Sequence, residues 1–125
     1  MGKRYKRGNV GRKRRVKSLA VYKRREKTIN DLIRLFYTKY YQYSKGNMLN
    51  TSDCYDEMYM LKSEIKRNLY YQESILHNQS FYRRNIYYHQ VNRFKRIYSR
   101  WKNDTLYTFL THKCHVPDYL ISKVL

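Results

Sequence analysis

Across residues 47–116 this chain has neither glycine nor proline. Pro117 is its only proline, and all four glycines lie at or before Gly46. Glycine and proline are the strongest local punctuators of a helix, so little in this stretch stops one from running. The apolar residues show what kind of helix forms. Ile29, Leu32, Ile33, Phe36, Tyr40 and Tyr43 recur at spacings of three and four. So do Met58, Leu61, Ile65, Leu69, Gln72 and Leu76, and again Tyr87, Val91, Phe94, Tyr98 and Trp101. That spacing puts each set on one face of a helix.

The interruptions divide the chain. Ser44, Lys45, Gly46 and Asn47 end a first helix over about residues 18–44, with Gly46 just past the last turn. Ser52 caps a second helix, whose first turn carries Asp53, Asp56 and Glu57, where the helix dipole favours acids. His77, Asn78, Gln79 and Ser80 end it, and Ser80 caps a third helix over about residues 81–102. Asn103 and Asp104 are expected to break that helix and cap a short segment from Thr105 to about Lys113. Helix restarts near Asp118 after Pro117, with Tyr119, Leu120, Ile121 and Val124 available to dock. The predicted fold class is all-α: a small antiparallel bundle over residues 18–125, of three long helices and a broken C-terminal helix.

Charge adds a second unit. The first 27 residues hold thirteen Lys or Arg and one acid, Glu26, a net +12 of the chain's +19. Burying an unpaired cation is prohibitive, so these groups need a dense array of negative charge nearby, and nucleic-acid phosphate is the commonest one. Gly2, Gly8 and Gly11 interrupt the run and oppose helix, so residues 1–17 are expected to form a basic arm that is extended from Met1 to about Gly11. The residues expected to meet phosphate are Lys3, Arg4, Lys6, Arg7, Arg12, Lys13, Arg14, Arg15 and Lys17 in the arm. On the first helix they are Lys23, Arg24, Lys27 and Arg34. On the third they are Arg93, Arg96 and Arg100, which with His89 share the face opposite the apolar stripe. Asn and Gln are scattered, so contacts should fall on the phosphate backbone with little sequence preference.

Sixteen of 125 residues are tyrosine. Tyr41, Tyr70, Tyr71 and Tyr88 fall off the apolar stripes. A ring with a polar tip suits a surface that is wet before assembly and dry after it, so these four are expected to form an assembly interface with other copies of the chain or a close paralogue.

Other chemistry finds little footing. His112, Cys114 and His115 form one cluster, whereas structural zinc sites usually draw on two spaced pairs. No metal or cofactor is expected. Asp53, Asp56 and Glu57 are explained by the helix start, and no nucleophile motif or phosphate-binding glycine loop is present, so the chain is read as non-enzymatic. Cys54 and Cys114 make no disulfide framework and are expected to be small buried thiols. No apolar run approaches the ~20 residues of a transmembrane helix.

The basic arm over Lys3 to Lys17, followed by helical stripes through Leu125, resembles the major coat proteins of filamentous archaeal viruses. The resemblance is architectural and implies a virion protein that self-assembles on linear double-stranded DNA. The alternative is a small basic ribosomal protein bound to rRNA and other ribosomal proteins; the Lys-, Asn-, Tyr- and Ile-rich composition suits an AT-rich organelle genome, such as a mitochondrial one.

Overall fold

Helices that each carry one apolar face must pack those faces together, and this chain does so with three of them. The structure, a computed structural model, describes the backbone of residues 2–112 and 114–124 and the side chains of residues 19–112 and 114–121. The helices are α1 (Gly2–Lys45), α2 (Ser52–Ser74), α3 (Phe81–His112) and α4 (Asp118–Val124), with a 3₁₀ turn at Leu76–Asn78. No strand occurs among the described residues.

The core draws on Tyr22, Ile29, Ile33 and Phe36 of α1, Met58, Ile65 and Leu69 of α2, and Tyr87, Phe94, Ile97 and Trp101 of α3. All three expected stripes are buried or half-buried. Tyr22, Ile97 and Gln90 are buried beyond them. Phe36 sits at the centre, edge-on to both Phe94 and Trp101 with ring centroids 5.7 Å apart in each case.

Polar side chains fix the order of the helices. The Gln72 amide of α2 donates to the Tyr22 carbonyl at 3.1 Å, while Tyr43 near the other end of α1 donates to Glu57. α2 therefore runs antiparallel to α1. Gln90 of α3 donates to the Glu26 carbonyl and to Asn30 Oδ1, each at 2.9 Å, and Tyr40 donates to Asp104 further along. α3 therefore runs parallel to α1. Arg83 pairs with the buried Glu26. α4 packs on α3 through the buried Ile121, and Tyr107 donates to Asp118 at 2.8 Å.

Several local expectations are corrected. The chain is helical from Gly2 rather than extended through residue 11. Lys and Arg are good helix formers, and a lone glycine costs only about 1 kcal/mol in a helix. At the end of α1 it is Asn47, at φ 55°, that takes the left-handed position expected of Gly46. Met48 N–H bonds the Tyr43 carbonyl at 2.8 Å and Asn47 N–H bonds that of Ser44 at 3.2 Å, which is the Schellman pattern. Thr51, not Ser52, precedes α2 as its N-cap residue, and its hydroxyl is turned to the Met48 carbonyl. α3 does not break at Asn103 and Asp104. The Asp104 carboxylate is occupied by Tyr40 and so does not cap a new helix. Ser80 caps α3 as expected, its Oγ accepting from Arg83 N–H at 3.3 Å. Cys54 is buried, but Cys114 is exposed.

Candidate nucleic-acid interface

On α1, Lys23, Lys27, Asn30, Arg34 and Tyr37 fall within about a quarter-turn of one another at 3.6 residues per turn. Asn30 is held by Gln90 of α3, so this edge of α1 faces α3. Tyr37 joins Arg93, Arg96, Ile97 and Arg100 around a shallow hollow of about 300 Å³. An adjoining hollow is lined by Lys95, Arg96, Ser99 and Arg100. Lys23, Lys27, Arg34, Arg93, Arg96 and Arg100 are all exposed. The tertiary fold thus sets the α3 cation stripe beside the cationic edge of α1. Arg24 is exposed but lies off this edge, on the side of α1 away from the core. The arm side chains, from Lys3 to Lys17, lie outside the described residues.

No cation on this edge makes an ion pair with a described residue. The three ion pairs among the described residues are elsewhere: Lys39 with Glu57 at 3.2 Å, Arg67 with Glu64, and Arg83 with Glu26. The acids are concentrated away from it. α2 holds five acids and three bases, α1 sixteen bases and two acids, and α3 seven bases and one acid. Hydrogen bonds also occupy the acids nearest the bundle. Tyr43 and then Lys39 hold the Glu57 carboxyl below the usual range. Burial, followed by the bond to Asp104, pushes Tyr40 up to about 12, and nearby Arg100 offsets part of that rise. The side formed by α1 and α3 is therefore a run of unneutralised cations, whose mutual repulsion an anionic polymer would relieve.

Tyr41, Tyr70, Tyr71 and Tyr88 are all exposed, from 46% to 69%, but they do not form one patch. Arg25 of α1 lies over the Tyr71 ring at 5.2 Å, whereas Tyr41 is sixteen residues further along α1, about 24 Å at 1.5 Å per residue. Tyr70 and Tyr71 touch edge to face at 5.9 Å, and Tyr88 in the early turns of α3 belongs to their end of the bundle.

Tyr37 and Lys95 are site residues that the sequence reading missed. Tyr37 was legible in principle, since it follows Arg34 by three and shares its face. Among the described residues, no three His, Cys, Asp or Glu side chains converge as a metal site would require. No helix of the described residues is long and apolar enough to cross a membrane.

No family model, curated protein or solved structure matches this chain.

Proposed function

We propose that this chain is a structural, non-enzymatic protein that coats nucleic acid, most simply duplex DNA in a virion, by binding phosphate and assembling with copies of itself. The observation that carries this reading is charge segregation. Arg93, Arg96 and Arg100, without an ion pair among the described residues, stand beside the cationic edge of α1. That edge continues in sequence into the thirteen bases of the first 27 residues. Such a surface binds a polyanion by releasing its counterions and carries no information about base sequence. The exposed tyrosines supply large rings with hydrogen-bonding tips for subunit contacts.

The test is nuclease protection of unrelated linear duplexes titrated with the full chain, with particle mass measured in parallel. Protection should extend along the whole duplex in proportion to protein added, whatever its sequence. Deleting residues 1–17 should abolish protection while the remaining chain keeps its helical circular dichroism. One-to-one binding to a single folded RNA, with duplexes left unprotected, would overturn the coat reading in favour of a ribosomal one.

A further inference from the structure

A third hollow lies between α2 and α3 at the end of the bundle near the α1–α2 turn. It encloses about 460 Å³. Its walls are aromatic: Tyr55 stacks on Trp101 at 5.6 Å, and Tyr59, Tyr98 and Phe109 complete the lining. Trp101 is 3% exposed, yet its Nε1–H has no hydrogen-bond partner among the described residues, and neither has the buried Thr105 hydroxyl. Buried indole N–H groups usually find an acceptor. The hollow therefore offers aromatic contact, while these two polar atoms lie beneath its lining. Asp56, exposed and without an ion pair among the described residues, stands at its rim.

The opposite end of α3 carries two exposed aromatic side chains. Phe81 and Tyr82, the first two residues of α3, are 72% and 67% exposed. Arg84 lies over the Phe81 ring at 6.0 Å and makes no ion pair with a described residue. Twenty residues separate Phe81 from Trp101 along one helix, about 30 Å. A knob and a hollow so far apart on one rigid helix cannot meet within the chain.

We propose that the hollow receives Phe81 and Tyr82 of a second copy, joining subunits head to tail. The two rings pack against Tyr55, Tyr59 and Phe109, and Arg84 meets Asp56 at the rim. A contact between two different surfaces of the same protein is heterologous, and it continues into an open filament unless its rotation closes a ring. This deepens the coat reading and rests on it: the contact would set the spacing of subunits along the polymer.

The test uses full-length variants without nucleic acid, with mass followed by analytical ultracentrifugation. A knob variant, Phe81→Ser with Tyr82→Ser, and a hollow variant, Tyr59→Ser with Phe109→Ser, change only exposed side chains, and circular dichroism checks that both stay folded. Each should lose association by at least about 30-fold, the loss that marks interface hot spots. Mixed together, they should form one-to-one dimers, because each retains the half that the other lacks. Trp101 is the only tryptophan, so its emission should shift on mixing. Asp56→Arg should weaken assembly, and adding Arg84→Glu to the same chain should restore it. A mixture that stays monomeric, or variants that polymerise as the unaltered chain does, overturns the proposal. So does a Trp101 shift on adding free mononucleotide, which would make the hollow a base pocket. If the variants still coat duplex normally, this contact fails and the coat reading stands. If the unaltered chain never assembles with or without duplex, both fail.

Discussion

Replacing Arg93, Arg96 and Arg100 with alanine is the sharpest test of the interface between α1 and α3. All three are exposed and unpaired with any described acid, so their removal leaves no orphaned partner and should leave the fold intact. If each neutralises one phosphate, the slope of log affinity against log salt shrinks by about 0.9 per contact, so by about 2.7 in all. Between about 50 and 200 mM salt, some 0.6 of a decade, the unaltered chain should therefore lose about 40-fold more affinity than the triple variant. Fluorescence anisotropy of a labelled duplex across that range reads both slopes. Arg67→Ala is the control, because Arg67 lies on α2 and already pairs with Glu64; its slope should match the unaltered chain. An unchanged slope in the triple variant, or an equal drop in the control, would refute the reasoning.

Four further outcomes are expected. Arg83→Met strands the buried Glu26 and should cost about 3–5 kcal/mol in urea unfolding, whereas adding Glu26→Gln should recover most of that loss; equal losses in the single and double variants would show that the pair is not coupled. Phe36→Ala removes the ring that contacts both Phe94 and Trp101 and should cost about 3–5 kcal/mol, measured in the same way. Tyr22, Tyr40 and Tyr87, raised chiefly by burial, and Tyr43, raised chiefly by its bond to Glu57, ionise near 12 rather than 10. Their stabilisation is therefore complete below pH 10 and lost as pH rises through about 12, and a late step in tyrosinate absorbance should coincide with loss of helicity; late ionisation with helicity intact would count against it. Tyr70→Ser with Tyr71→Ser should keep helicity and impair assembly on duplex DNA, and normal particle mass would remove these rings from the interface.

Much of the fold was legible in the sequence because helix periodicity is a local property. The stripes from Ile29 to Tyr43 and from Tyr87 to Trp101 needed only the 3.6-residue repeat and a run without glycine or proline. The acid-poor basic start was equally plain, since charge can be counted without coordinates. Choices between competing partners were not legible. Asp104 looked like a cap, and Tyr40, 64 residues away in sequence, claimed its carboxylate, so α3 ran on to His112. Gln90 gave no apolar signal, yet it is buried because Glu26 and Asn30 accept its protons. Gly46 and Asn47 can both serve at a helix C-terminus, and the backbone hydrogen bonds of this particular turn put Asn47 in the left-handed position.

The sequence by itself determined that the chain is helical, which faces are apolar and that its cations outnumber its acids. Each of those follows from residue type and spacing alone. Only the tertiary structure decided that α3 lies parallel to α1, because that depends on long-range bonds between buried amides and carbonyls. The same packing set Arg93, Arg96 and Arg100 beside the basic edge of α1 and left the acids on α2. It also placed an aromatic hollow at one end of the bundle and an aromatic knob at the other. Side chains distant in sequence form one surface only after the helices that carry them have buried their apolar faces.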